Sequence, residues 1–324
     1  MELINLLDKA VIEGLAFALV PLSCYITYRL LNFPDVTVDG SFVLGGSICA
    51  LLVTKAGWNP WPATLLSIPI GGLAGACTGF LNVKLGINKL LAGILVAFAL
   101  YSVNLLLIGA SVAFPHDKTI IEAFRSLDKT NPLGLSDGLS LHPAQVAFFL
   151  IFFLLVKTTI DLYLASESGL MLRASPYCPE MIWHKGSNPD RRQILGVAIA
   201  NSMVALCGAV IAQKEGAANS FRGTGMIIMG IAAYIIGEQT LNGLAGMRRS
   251  LKGDGLSRAR NWSAAVLGLI SNRSNTLAPA IGAILYFCVV HLGYRLRLNP
   301  ALPRLMMAVF LVIILGDWRR TVRR

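Results

Sequence analysis

Long apolar runs separated by brief polar stretches dominate the chain. Stretches of the ~20 mostly apolar residues that a helix needs to cross a bilayer occupy 9–28, 62–83, 90–110, 143–163, 192–213 and 274–294. Shorter apolar runs lie at 41–54, 224–240 and 302–316. Only helices and closed barrels satisfy their backbone inside lipid, and runs of this length are helical. The pattern predicts an all-α polytopic membrane protein with about eight or nine transmembrane segments.

Two segments are too short to span. Ser41 to Thr54 makes about 21 Å of helix, against a hydrocarbon core of about 30 Å. Thr224 to Gly237 is equally short, with Gly223, Gly225, Gly230 and Gly237 weakening it further. Each follows a long run in its half of the chain (9–28 and 192–213) and precedes longer ones. Threading gives the two halves opposite orientations, the pattern of an inverted-repeat transporter with its path beside the broken helices. The competing reading is coincidence among ordinary amphipathic spans, since no residue-level repeat accompanies the pattern.

Composition agrees with a membrane chain, at 55% hydrophobic and 14% charged residues. The net charge of +11 is gathered in three loops, 173–192, 248–260 and 319–324, as expected of loops on the cytoplasmic side. With the spans removed no soluble basic domain remains, which argues against nucleic acid as a partner. With these loops inside, the C-terminus is cytoplasmic, 111–142 is an extracytoplasmic loop, and the N-terminus lies outside. Arg295 and Arg297 count against this threading. Glu2 and Asp8 stand where a removable signal peptide would carry basic residues, so the first run is expected to be retained. The chain reads as a single transmembrane domain, 1–324, in a cytoplasmic membrane.

Chemistry-bearing motifs are few. The six cysteines form no CxxC pair and the four histidines are scattered, which predicts neither metal nor cofactor. A GxxxxGK[ST] phosphate loop, an HExxH motif and a nucleophile elbow are all missing from the sequence, so enzymatic activity and direct ATP binding are not expected. The stretch FPDVTVDGSFVLGG, Phe33 to Gly46, brings Asp35, Thr37, Asp39, Gly40 and Ser41 up to the first short segment. Acids at membrane depth mark pathways. Asp39 or Ser41 equally suits the role of cap for a helix starting at Phe42. Glu238 follows the second short segment and is either a path residue or an interfacial acid. Gly71, Gly75 and Gly79 share a face of 62–83 and predict close helix packing, within the chain or between copies. Lys157 and Asp161 are spaced as an intrahelical ion pair.

The most structured polar segment runs through 164–191. Pro176 and Pro179 limit its helix, and Arg173, Lys185, Arg191 and Arg192 charge it. At these motifs the chain resembles the permeases of bacterial ABC importers, of the branched-chain amino acid and ribose permease type. Within that type it is most similar to a group associated with tryptophan or other amino-acid-like solutes. The Phe33 to Gly46 stretch is similar to that branch's FPDLTVDGSF signature. Arg173, Pro179, Glu180, Met181, Lys185, Gly186, Asp190 and Arg191 fall in a stretch similar to its cytoplasmic coupling segment. Leu195, Gly196, Asn201, Ala205, Gly208 and Ala209 fit the span that follows, and Gln213, Gly216, Gly223, Gly225 and Ile235 to Glu238 complete the match over about residues 10–315. The chain departs from the pattern at Ser175 to Pro179, where Gly-x-Asn-Pro is usual, and at Arg222, where an apolar residue is commoner.

The resemblance implies a homodimeric path for a small polar solute, with an ATP-binding subunit under each copy and a solute-binding protein outside. It also implies a short helix near Pro179 to Lys185 in a groove of the ATP-binding subunit. The rival expectation is an ion-coupled secondary transporter with Asp35, Asp39 and Glu238 as coupling groups.

Overall fold

The computed structural model describes residues 2–115, 119–122, 124, 142–251 and 275–295. The outer-loop charges Asp117, Lys118, Arg125, Asp128, Lys129 and Asp137 lie outside the described residues, as do Lys252, Arg258, Arg260, Arg297, the 302–316 run and the C-terminal tail.

The first span comprises α1 (Glu2–Phe17), α2 (Leu19–Cys24) and a π-helical turn, Tyr25–Leu30. Pro21, without an N–H, removes the helical bond to the Phe17 carbonyl, and the helix breaks at Ala18. After the π turn, Asn32 takes a left-handed φ of 48°, and the Phe33 N–H donates back to the Thr27 carbonyl at 2.8 Å. The chain thereby reverses into α3 (Thr37–Thr54), followed by α4 (Pro60–Leu85) and α5 (Lys89–Ile108). A short strand β1 (Ser111–Ala113) precedes the outer-loop region, and α6 (Pro143–Ala165) follows it. Two short helices, α7 (Glu167–Ala174) and α8 (Pro179–His184), lead to α9 (Pro189–Glu215). Strand β2 (Ala217–Asn219) pairs antiparallel with β1, Ser111 opposite Asn219. Helices α10 (Met226–Leu251) and α11 (Ala278–Arg295) complete the described chain.

Among the described residues, six helical stretches are long and apolar enough to cross a membrane, beginning with Leu6–Leu30, and Met226–Leu241 and Ala278–Gly293 are shorter apolar helices. The fold is all-α and polytopic. The outward faces of α4, α5 and α6 present Leu73, Phe98, Leu106, Ile151 and Leu162, all exposed, the surface a lipid-embedded chain requires.

Helix α9 is the axis of the bundle, buried along most of its length. Parallel to it, α3 approaches until backbones touch. A Cβ on Gly45 would lie 1.9 Å from the Ala205 carbonyl oxygen, and one on Gly208 would lie 1.9 Å from that of Phe42. Antiparallel on another side, α4 lays Gly71 on Ala205, Gly75 on Val197 and Asn201, and Gly79 on Ile194, so this face packs within the chain.

The two halves interlock. Helix α9, first of the second half, packs chiefly on α3 and α4 of the first, while α1 and α2 pack on α10 and α11 of the second. Gly14 of α1 lies on Ile284 of α11, and Gly230 of α10 lies on Val20 and Cys24 of α2.

Both short segments begin differently from the expectation. Helix α3 starts at Thr37, giving 18 residues and about 27 Å. Polar Thr37 and Asp39 hid this first turn from an apolar count. Helix α10 runs past Gly237 without a break, because that glycine seats the α11 backbone, with Ala278 O at 1.8 Å from a Cβ built there.

Substituting Gly45 or Gly208 by Val is expected to cost at least about 2–3 kcal/mol by overpacking. The check is the unfolding midpoint in detergent, with Gly57→Ala, at a site with no neighbour within 4 Å, losing no more than about 1–2 kcal/mol through its positive φ.

Candidate functional site

Two helices start in the bundle interior, and their first turns meet. The Asp39 carboxylate, in the first turn of α3, accepts hydrogen bonds from Gly225 N–H at 3.0 Å and Ile227 N–H at 2.8 Å. It therefore caps α10 from a distance of 186 residues in sequence. The bond satisfies free donors at a helix start, and the negative charge meets the positive end of the helix dipole. Gly223 permits the approach, since a Cβ there would lie 2.1 Å from the Asp39 carbonyl oxygen. The expectation that Asp39 or Ser41 caps a helix at Phe42 is corrected here. Both residues lie inside α3, and Asp39 caps a different helix.

A second polar group lies beneath. Asp35 Oδ1 accepts from Thr37 N–H at 3.0 Å, and its Oδ2 accepts from Asn201 Nδ2 at 2.6 Å. Ser41 Oγ donates to Asn201 Oδ1 at 2.7 Å. Thr37 Oγ1 lies 2.7 Å from Thr78 Oγ1. Asp35, Thr37, Ser41, Thr78 and Asn201 are all buried. Gly75 makes the space, because a Cβ there would come within 2.9 Å of Asn201 Nδ2. Asn201 is 12 residues into α9 from Pro189, about 18 Å along the helix, so the cluster lies near the middle of a span. Gly40 lets α5 close in, with Leu100 Cβ at 2.7 Å from its built Cβ, and Asn104 Nδ2 donates to the Gly40 carbonyl at 3.1 Å. Glu238 lies 11 residues beyond Ile227 on α10, about 17 Å away, and does not join the cluster.

Sequence reasoning missed Asn201, Thr78, Asn104 and Gln213 as interior polar groups. Gln213 donates to Thr64 Oγ1 at 2.6 Å and accepts from Ile120 N–H at 3.1 Å. Their signal was available, since amides are costly inside a strongly apolar run unless partnered. No cluster of three or more His, Cys, Asp or Glu that would hold a metal occurs among the described residues.

From the end of α9 the chain turns back toward Asp39. Ser220 Oγ donates to the Gly109 carbonyl at 2.6 Å, and Ser220 N–H donates to that of Ala110 at 3.1 Å. Five residues later Gly225 reaches Asp39. Phe221, Arg222 and Thr224 are exposed along this descent. Arg222 forms an ion pair with Glu215, and the Phe221 ring lies 6.3 Å from that of Tyr101 on α5.

At the opposite end, α7 and α8 form a platform between α6 and α9. Gly169 sits against the Tyr163 carbonyl and Leu164, and Leu172 packs against Gly196. Arg192 Nε donates to Ser187 Oγ at 3.0 Å, its Nη1 bonds Ser168 Oγ, and Asn188 accepts from Asp190 N–H at 2.8 Å. Ile182 anchors α8 inward while Tyr177, Met181 and Trp183 stand exposed. Pro179, Glu180, Lys185, Gly186 and Arg191 are exposed, and Arg173 and Asp190 are half-buried. Lys157 and Asp161 on α6 pair at 2.5 Å.

Residues 6–315 match the family model described as "Branched-chain amino acid transport system / permease component". The chain is similar to a "Tyrosine transport system permease protein" of Clostridioides difficile (strain R20291), 35% identical over 229 residues, which covers 69% of this chain and 70% of the relative. It is also similar to an uncharacterized protein of Rickettsia prowazekii (strain Madrid E), 28% identical over 319 residues, 98% of this chain and 99% of the relative. No solved structure matches.

Asp39→Ala strands two interior N–H groups and is expected to lower unfolding stability by about 2–4 kcal/mol. Asp39→Asn keeps one acceptor oxygen and is expected to lose about half as much. Equal losses, measured by thermal unfolding in the same detergent, would show that charge rather than hydrogen bonding dominates the cap.

Proposed function

The chain belongs to the family of branched-chain amino acid transport system permease components, and on that premise we propose that it forms the membrane path of an ATP-driven importer for a small amino-acid-like solute. It is a multi-pass membrane permease. The finer assignment takes support from the relative whose name specifies tyrosine transport. In this reading two copies enclose the path, an ATP-binding subunit docks at the cytoplasmic side of each, and an extracytoplasmic binding protein delivers solute near 111–142. The C-terminus and residues 164–191 are then cytoplasmic.

The observation that carries the reading is the α7–α8 platform. Its exposed aromatic and apolar residues are Tyr177, just before the short helix α8, and Met181 and Trp183 on it, between two long spans. A carrier that runs alone on an ion gradient has no use for such a projection. A nucleotide-driven subunit that must be gripped does, because closure of the ATP-binding subunits can move α6 and α9 as rigid bodies only through a stiff handle. Arg173, Pro179, Glu180, Met181, Lys185, Gly186, Asp190 and Arg191 are proposed to form or frame that contact. Asp35, Thr37, Asp39, Gly40 and Ser41 are proposed to shape the path by fixing where α3 and α10 begin, and Glu238 is proposed to line it nearer the cytoplasm. Gly71, Gly75 and Gly79 keep α4 seated on α9 as these helices move.

Purification from native membranes in mild detergent, followed by mass spectrometry, tests the reading. Wild-type chain is expected to bring a near-stoichiometric ATP-binding subunit. The double variant Glu180→Lys, Trp183→Asp is expected to insert normally, lose that subunit by about tenfold or more, and abolish uptake. A variant that keeps both, or a wild-type chain that comes alone and transports on an ion gradient, would transfer the assignment to a secondary carrier.

A further inference from the structure

We propose that Arg192 and Gln193, side by side at the start of α9, form a joint that carries motion of the α7–α8 platform into the α4–α5 turn of the first half. This rests on the transport reading above and names the residues that pass the platform's movement onward. Both are positioning residues. They are half-buried, and neither belongs to the set proposed to meet the ATP-binding subunit.

Successive residues of a helix point about 100° apart around its axis, so neighbours in sequence serve different partners. Arg192 serves the platform. Its Nε donates to Ser187 Oγ at 3.0 Å, in the turn after α8, and its Nη1 donates to Ser168 Oγ at the start of α7. Ser168 Oγ also lies 3.5 Å from the Tyr163 hydroxyl of α6. One planar guanidinium thus holds both ends of the platform, a fork that a lysine ammonium does not reproduce. Gln193 serves the first half. Its Nε2 donates to Asn82 Oδ1 at 2.9 Å, near the end of α4, and Asn82 Nδ2 donates to the Ile87 carbonyl at 2.7 Å, in the α4–α5 turn. Two residues on, Lys89 Nζ donates to the Asn32 carbonyl at 3.2 Å, at the left-handed residue where the chain reverses toward α3. Hydrogen bonds and short stretches of backbone therefore link the platform to the entry of α3.

Glycine contacts alone would not carry this motion. Gly71, Gly75 and Gly79 seat α4 on α9 by close approach, and van der Waals contact between such smooth faces has no preferred direction, so it allows a small slide or roll. A hydrogen bond weakens steeply as it departs from linear. The Gln193–Asn82 bond therefore fixes how the end of α4 is turned relative to α9, and the bond to Ile87 extends that constraint beyond the helix. The turn is defined at both of its ends. Gly86 takes a left-handed φ of 67°, and Asn88 caps α5 by accepting from Leu90 N–H at 3.0 Å. A displacement that enters at Arg192 then reaches α5 as a shift of its starting point instead of being absorbed in the turn. Sliding of packed helices of this kind is the shear mode of conformational switching.

The complete complex, reconstituted in liposomes with its ATP-binding subunits and binding protein, is assayed for uptake per ATP hydrolysed, with a radiolabelled mixture of L-amino acids as probe. Gln193→Met and Asn82→Leu remove the bond at nearly constant volume. Each is expected to keep the ATP-binding subunit bound and hydrolysis within about twofold of wild type, while uptake per ATP falls about fivefold, the worth of one hydrogen bond. The double variant is expected to fall no further, because both residues serve one bond. Arg192→Lys, on the platform side of the joint, is expected to give the same loss. Asn82→Asp keeps the acceptor for Gln193, loses the donor to Ile87, and is also expected to lower the ratio. It supplies the reading if either apolar variant fails to fold. A ratio within about twofold of wild type in these variants, or an additive loss of about twenty-five-fold in the double variant, would overturn the joint. Loss of the ATP-binding subunit from all of them would place the pair in the docking contact and overturn the joint as well. A wild-type complex that takes up none of the probe with ATP present defeats the transport reading itself. Wild-type uptake driven by ATP, with variants that keep its ratio, defeats only the joint.

Discussion

The bundle depends on one carboxylate that bonds two helices which both begin inside it. Asp39 extends the free N–H groups of α10 a charged acceptor from α3. In lipid those donors have no water to fall back on, and each left unmade costs about 1–2 kcal/mol. The chain can therefore begin α10 inside the bundle, at Met226. Without that bond the descent from Ser220 to Gly225 has no end point, and α10 no defined start.

Around this bond the packing is unusually close because the contacts are backbone to backbone. Gly45 and Gly208 bring α3 against α9, and Gly223 brings the re-entrant turn onto α3. Between helices in lipid, association comes from van der Waals contact and hydrogen bonds rather than from water exclusion. Small residues therefore stand where a soluble core would place leucine. The polar cluster of Asp35, Asn201 and Ser41 fixes the register of these smooth surfaces, since a slip of one residue would leave buried oxygen and nitrogen atoms without partners.

Helix α9 connects the functional proposals. It starts at the α7–α8 platform, carries Asn201 at mid-span, and ends at Glu215. A helix packed on both sides and bonded at its centre moves as a rod. In the proposed coupling, displacement applied at the α7–α8 platform would reach the far end of α9, at Glu215, as rigid-body movement. The interlocking of halves also seats this helix on α3 and α4.

Much of this architecture was legible in the sequence. Apolar runs of spanning length, the basic segment with its prolines, the glycine face of α4 and the Lys157–Asp161 spacing are all local signals, and local signals report local structure. The start of α3 was not legible, because Thr37 and Asp39 are polar and a hydropathy pattern assigns polar residues to solvent. Their partners are Thr78, Gly225 and Ile227, all more than forty residues away in sequence. Asn201 was legible only as part of the resemblance, and its role as an interior polar partner was not, because it is a single amide inside an otherwise apolar run. Sequence alone determined that this chain crosses a membrane many times, and where its long helices lie, because lipid imposes a length and polarity rule on each span separately. Tertiary structure alone decided which polar groups meet in the interior, because hydrogen-bond partners are chosen by proximity in the fold, for which no local pattern codes.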